Sequence, residues 1–413
     1  MNLLYIAAIG ILLVLYAESF YNIPILIAGV RHLRQKRRKK SKELKPSEKL
    51  PSVSIIVPVK NEEMVIGRLL KSLTRLNYPP EKMEIIIVED GSIDKTTEIC
   101  RECVRKYPDQ IRLIHQSSSK GKPSALNCAL KHVRGEIVAV FDADSVPDPN
   151  VLLNAVNYFQ DSSITAVQGR TCSINVDQNV LTKFASHEEA IIFNIYLQGK
   201  DAHNLFVPLA GSCYFIRKSV IEEVHGWNDE SLSEDIEMSV KLALKGYNIK
   251  YAYDVRSWQE TPASVTQLIG QRIRWFRGSM EVALRYGKLV TRPNRKNIDI
   301  EFTLAGSYIF PLCLFGLMIV LNGFLIPIQP DPIFQVTANV ASLLTAILLL
   351  FTGTVLVYVT NFQNRTNLLW LPLIYLYWIM ETFIATYALT QIVLKRPRKW
   401  EKTTKKGVIT NYP

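Results

Sequence analysis

Histidine and cysteine are both scarce in this chain of 413 residues, at six of each. The cysteines lie scattered at 100, 103, 128, 172, 213 and 313, which excludes an extracellular disulfide framework. Cys100 and Cys103 form a CxxC in a helical-looking stretch. Neither a second CxxC nor a histidine pair lies near to complete a zinc site. Two thiols one turn apart in a reducing, cytoplasmic compartment is the simpler reading. His187, His203 and His225 share no metal-ligand spacing. Acidic residues are outnumbered, 37 against 49 lysines and arginines, for a formal net charge of +12. No recognisable nucleic-acid module accompanies that excess. Much of it sits in 31–45 and 395–406, directly beside apolar spans. Basic residues there are drawn to anionic headgroups and stay cytoplasmic, so the partners expected are membrane lipids and not nucleic acid.

Long apolar runs are missing from the middle of the chain and gathered at its ends. Residues 1–30 are almost wholly apolar and long enough to cross a bilayer. The basic run follows this span, unlike the order in a secretory signal peptide. The expectation is an uncleaved anchor, N-terminus outside, with the chain after Arg31 in the cytoplasm. Glu18 is costly in lipid and should face another helix or an interface. Three further candidate spans cover 302–328, 338–360 and 368–394. One anchor plus three spans would put the tail outside, although its charge favours the inside. Either one segment does not span, or one makes two short passes (Pro311 breaks the first), or the tail overrides the rule.

Between the ends, short apolar strands at 53–59, 83–88, 111–115 and 136–141 alternate with helical patterns at 63–76, from 95, and at 124–132. This predicts an α/β domain with a mostly parallel sheet flanked by helices, its strands buried on both faces. The division expected is an anchor (1–30), a basic linker (31–50) and a cytoplasmic catalytic domain (51–260). Membrane-interface helices (261–300), transmembrane helices (301–395) and a basic tail (396–413) follow.

Ligands of such sheets bind beyond the carboxyl ends of the strands, and acidic residues gather there. Asp142 and Asp144 end the fourth strand, where two carboxylates in one turn can hold a divalent cation against a diphosphate; a solvated Asp-x-Asp turn is the plainer alternative. Asp90, ending the second strand, can accept hydrogen bonds from a nucleobase or ribose, or cap the next helix. Glu62 after the first strand has the same two readings. Lys122 sits in a basic turn before a helix, which attracts phosphate or is merely solvated. Asp235 opens a helical pattern and can serve as a general base or as an acidic first turn. Gln271, Arg274 and Trp275 fall on neighbouring helix faces. An arginine bridges phosphate oxygens and a tryptophan stacks on a sugar, or the helix simply lies on the membrane surface.

In this order, Val88-Glu89-Asp90-Gly91-Ser92, Asp142-Ala143-Asp144, Ser233-Glu234-Asp235 and Gln271-Arg272-Ile273-Arg274-Trp275 resemble the motifs of family 2 inverting glycosyltransferases. The resemblance is to the processive membrane branch of cellulose, chitin, hyaluronan and poly-N-acetylglucosamine synthases, over about 50–285. It implies a GT-A fold, a UDP-sugar donor and Mg²⁺ or Mn²⁺. It also implies roles. Asp90 would bind uridine, with Glu62 and Lys122 facing the nucleotide. Asp142 and Asp144 would form the DxD, Asp144 being the better metal ligand. Asp235 would be the base, and Gln271, Arg274 and Trp275 would hold the diphosphate and the acceptor end. Lys60 stands where an aromatic often precedes Asn-Glu. The acceptor loop reads Pro208-Leu209-Ala210-Gly211-Ser212, keeping Gly211 and Ser212 but pointing away from cellulose. The tail Arg396-Pro397-Arg398-Lys399-Trp400 is similar to those of poly-N-acetylglucosamine-type synthases. The expected activity is transfer of N-acetylglucosamine or glucose to a growing β-linked polysaccharide at the plasma membrane. Single-sugar transfer to a membrane lipid is the alternative. A catalytically dead scaffold is argued against by the intact acidic residues.

Overall fold

A computed structural model describes residues 3–38, 50–287, 294–325, 332–359, 371–398 and 402–411. Most of the expected linker (39–49), and Trp400 in the tail, lie outside these residues.

Helix α1 (Leu3–Arg38) continues past the apolar stretch into the basic run. The α/β region then follows as β1 (Val53–Val59), α2 (Ile66–Leu73), β2 (Met83–Asp90), α3 (Thr96–Lys106), β3 (Ile111–Gln116), α4 (Lys122–Leu130) and β4 (Ile137–Val140). Next come β5 (Val146–Pro147), α5 (Val151–Tyr158), β6 (Ile164–Ser173) and α6 (Val180–Ile191). A π-helical turn (Ile192–Tyr196) runs into α7 (Leu197–Ala202). β7 (Tyr214–Arg217), α8 (Lys218–Glu223), α9 (Glu234–Leu244), β8 (Asn248–Gln259) and α10 (Val265–Tyr286) complete it. Helices α11 (Arg295–Leu325), α12 (Pro332–Val359) and α13 (Leu371–Val393) close the chain.

The eight strands form one sheet in the order β3-β2-β1-β4-β7-β6-β8-β5. β1 to β4 pair in parallel, as the strand–helix alternation demands, while β7 is antiparallel to both β4 and β6. The continuous apolar strands have a direct cause. In β1, Ile55 and Val57 enter a core with Leu69, Leu70 and Val151 of α2 and α5, whereas Ile56 enters a second core with Leu126, Val220 and Met238 of α4, α8 and α9. Successive side chains point to opposite faces, so a strand covered by helices on both sides must be apolar throughout. The register sets Val59 beside Glu89, and Glu89 beside His115. The carboxyl ends of β1, β2 and β3 therefore lie level, and the polar loops following them share one rim.

Among the described residues, two helical stretches are long and apolar enough to cross a membrane, Ile6–Gln35 and Arg295–Ile319. The expected last span, 368–394, is described from Leu371 onward. Most of it is α13, which packs along α10, where Arg277 bonds Gln391 and the carbonyls of Arg396 and Pro397. Leu376, Ile379, Phe383 and Tyr387 form an exposed apolar stripe along the helix.

Candidate active site

At the strand ends, Asp90 is buried and both of its carboxylate oxygens accept from the chain. Its oxygens accept from Ser119 Oγ (2.7 Å), Lys120 N (2.9 Å) and Gly121 N (3.0 Å). It shapes the loop leading to α4. Gly91 beside it has φ +70, and a Cβ there would stand 3.0 Å from Ser119 N; only glycine lets the two loops meet.

Lys122, the first residue of α4, points into the rim. Its Nζ lies 2.7 Å from Asp142 Oδ1 and 3.1 Å from Glu234 Oε1, and donates to the Gly211 carbonyl at 2.8 Å. Burial works against its charge, but Asp142 and Glu234 raise its pKa well above the usual lysine range. Burial conversely raises Asp142, against the pull of Lys122. Asp142 N and Ser145 Oγ both meet Ser212 Oγ, at 3.0 and 2.9 Å, so Ser212 ties the acidic turn to the loop before β7.

Asp235 lies in the first turn of α9, and its Oδ1 accepts from Ile236 N at 2.8 Å. Burial first, and then the neighbouring Glu234, push its pKa up to about 7 against the pull of Lys122. Gly211 faces it at φ +73; a Cβ there would be 3.4 Å from Asp235 Oδ2, 3.7 Å from Lys122 Nζ and 3.9 Å from Asp142 Oδ2. Gly211→Ala is therefore expected to cost about 1–2 kcal/mol of stability for the left-handed backbone. It should also lower kcat by filling the space before Asp235; thermal unfolding and turnover measured together check this.

Asp144 carries a cation supplied by the chain itself. Its Oδ2 lies 2.8 Å from Lys405 Nζ and accepts from Glu260 N at 3.0 Å. Burial alone would raise its pKa, but Lys405 brings it below the usual carboxylate range. Three residues earlier in the tail, Lys402 Nζ pairs with Glu62 Oε1 at 3.1 Å and bonds the Asn61 carbonyl. Burial pushes Glu62 up to about 7 despite Lys402. Glu260 fastens this tail: its carboxylate accepts Lys406 N (2.8 Å) and Gly407 N (2.9 Å), and its carbonyl accepts Lys405 Nζ. Thr410 N and Asn411 N then bond the Ile174 carbonyl. Residues 402–411, expected among lipid headgroups, instead lie against the catalytic domain. Glu260→Ala would remove the carboxylate that accepts both backbone donors, at about 1.5–3 kcal/mol for each bond to a charged group. The expected result is a released tail, seen as faster amide exchange at Lys406 and Gly407.

On α10, Trp275 is 41% exposed. The guanidinium of buried Arg272 lies over its ring at 4.5 Å and pairs with Glu188 and with Glu381 (3.3 Å). Gln271 and Arg274 sit half-buried on the same helix. The structure thus brings Asp142, Lys122, Gly211 and Asp235 into one cluster, and joins Glu62 and Asp144 through the tail lysines. Glu234, Glu260, Lys402 and Lys405 escaped the sequence reading. Glu234 adjoins Asp235 and could have been found; the others carry no local signal.

No group of three or more His, Cys, Asp and Glu side chains able to hold a metal occurs among the described residues. Asp142 and Asp144 nevertheless fit a hard divalent cation of the type that uses one or two carboxylates and takes its other oxygens from substrate phosphates. The ammonium already at Asp144 marks that position as one for positive charge.

Residues 51–278 match the family model described as glycosyltransferase like family 2. The glycosyltransferase YdaM of Bacillus subtilis is 32% identical over 292 residues, which are 70% of this chain and 69% of the relative. The beta-monoglucosyldiacylglycerol synthase of Nostoc sp. is 32% identical over 298 residues, 71% of this chain and 61% of the synthase. The poly-beta-1,6-N-acetyl-D-glucosamine synthase of Staphylococcus epidermidis is 30% identical over 239 residues, 58% of this chain and 57% of the synthase. The matches thus span less than two thirds of either synthase. Among solved structures, the mannosyltransferase of Pyrobaculum calidifontis in complex with GDP-Man and Mn²⁺ superposes with a TM-score of 0.62 at 20% identity, over 96% of this chain and 100% of that one. At that identity the likeness establishes the fold, the GT-A arrangement.

Proposed function

Because this chain belongs to glycosyltransferase-like family 2, we propose that it is a membrane enzyme transferring a hexosyl group, N-acetylglucosamine or glucose, with inversion from a UDP-sugar to an acceptor hydroxyl. The observation that carries this reading is the cluster in which Asp235, with its pKa near 7, faces Gly211, Lys122 and Asp142. A carboxylate titrating near neutrality is suited to general-base work. Asp235 takes the acceptor proton, the acceptor oxygen bonds the anomeric carbon, and the bond to the diphosphate breaks, its electron pair leaving with UDP. A single displacement turns an α-linked donor into a β-linked product. Asp142 and Asp144 would hold Mg²⁺ or Mn²⁺, which when bound supplies positive charge to the departing diphosphate. Asp90 would hold the base indirectly, through the loop at 119–121. Gln271, Arg274 and Trp275 would line the diphosphate and acceptor side, with Trp275 offering its exposed face to a sugar.

The acceptor is read first as a growing β-linked polysaccharide, in line with the staphylococcal relative. A second reading, single-sugar transfer to a lipid, is favoured by the Nostoc relative and by one cavity. It has a volume of about 130 Å³ and lies between α6 and α13, lined by Phe184, His187, Ile191, Tyr377 and Trp378. With radiolabelled UDP-N-acetylglucosamine and UDP-glucose, a high-mass product supports the polymer and a small solvent-extractable one the lipid. Absence of transfer from either donor would overturn the proposal.

The docked tail bears on topology. If residues 402–411 share a side with the catalytic domain, the chain crosses the membrane an even number of times after α10. We assign those crossings to α11 and α12, with α13 at the interface. A C-terminal tag should then react only when the cytoplasmic side is opened; labelling of intact cells would refute this assignment.

A further inference from the structure

Lys122 has three ammonium protons and three acceptors, each on a different element: Asp142 Oδ1 after β4, the Gly211 carbonyl before β7, and Glu234 Oε1 at the start of α9. An ammonium has no further donor to offer, and this side chain is only 14% exposed. That geometry does not suit a phosphate ligand. Glu234 is itself 5% exposed, and it is the residue directly before Asp235. Its side chain joins the same ammonium that holds Asp142.

From this we infer that Lys122 and Glu234 form a positioning pair, a strut that fixes the base Asp235 relative to the donor-side carboxylate Asp142. The bare α-carbon of Gly211 keeps the intervening space open. The inference rests on the reading of Asp235 as the base. A buried ion pair of this kind is poor evidence for stability, but it defines geometry, because each partner satisfies the other only in one arrangement. The acceptor hydroxyl must meet Asp235 on one side and the anomeric carbon on the other. Misplacing either by about 1 Å can cost on the order of 10²-fold in rate.

The test is a double-mutant cycle of Lys122→Met and Glu234→Gln, reading the affinity for UDP with Mn²⁺ beside kcat and donor KM. Each single variant should bind UDP within about twofold of the parent and lose on the order of 10²-fold in kcat. The double variant should be no worse than the poorer single one, because each change breaks the same link. Loss of UDP affinity in Lys122→Met with kcat retained would make Lys122 a phosphate ligand and overturn the inference. Additive losses would overturn it too. Should Lys122→Met fail to fold, Glu234→Gln alone decides: a parental kcat refutes the strut. Asp235→Asn runs in parallel. If that variant turns over normally, the reading of the base fails as well; if it is dead while the cycle is additive, only the strut fails.

Discussion

Asp235→Asn is expected to fold, to bind UDP with Mn²⁺ like the parent, and to lose about 10³-fold or more of its transfer rate, the range a positioned general base supplies. Asparagine keeps the shape of the side chain and cannot take a proton. The raised pKa of the parent adds a second expectation. Burial and Glu234 lift Asp235 to about 7, with Lys122 pulling the other way. A base works only when deprotonated, so kcat should be low at acid pH, rise through about pH 7 and level off above. Glu62 also titrates near 7, so its contact with Lys402 weakens over the same range, and the acid limb should be steeper than for a single group. A flat profile from pH 5 to 9, or normal turnover by the asparagine variant, would remove Asp235 from the role of base.

Asp144→Asn should be nearly as damaging, for a different reason. The carboxylate is buried, accepts from Glu260 N and meets Lys405. Neutralising it removes a cation ligand and strands the buried ammonium of Lys405. Breaking one side of a buried pair leaves an uncompensated charge, so the tail should lift from the domain. A bound cation supplies several kcal/mol to a departing diphosphate, and its loss should lower kcat/KM on the order of 10³-fold. The two variants should differ in one readout: Asp235→Asn keeps Mn²⁺-dependent UDP binding, whereas Asp144→Asn loses it. Mn²⁺ titration against UDP binding separates them, and unchanged Mn²⁺ dependence in Asp144→Asn would count against the metal role.

The sheet was legible because its cause is local. A strand covered on both faces is apolar along its covered stretch, as Ile55–Val57 of β1, Ile85–Val88 of β2 and the whole of β4 are. Placing Asp90, Asp142 and Asp144 at strand ends followed from that alone. What the side chains touch was not legible. Asp90 reads as a nucleotide ligand or a helix cap, yet its oxygens accept from the loop 29 to 31 residues later. Lys122 reads as a phosphate ligand or a solvated lysine, yet its partner Gly211 lies 89 residues away. The tail was misjudged most, because Lys402 and Lys405 look like any basic run beside a span, and the carboxylate that fastens their segment is 146 residues earlier. Long-range pairing of this sort has no periodicity to betray it.

The first helix meets the catalytic region with no side chains between them at two points. A Cβ on Gly29 would fall 2.1 Å from the Ile195 carbonyl oxygen, and one on Gly199 would fall 1.9 Å from that of Ile25. Such backbone-to-backbone seating makes α1 a fitted component and not an interchangeable tether. It also orders biogenesis: α1 is made before the π-helical turn and α7 that settle against it. A version trimmed of residues 1–38 would expose Ile195, now wholly buried. An unrelated apolar helix in place of α1 could cross the bilayer equally well without restoring that seat.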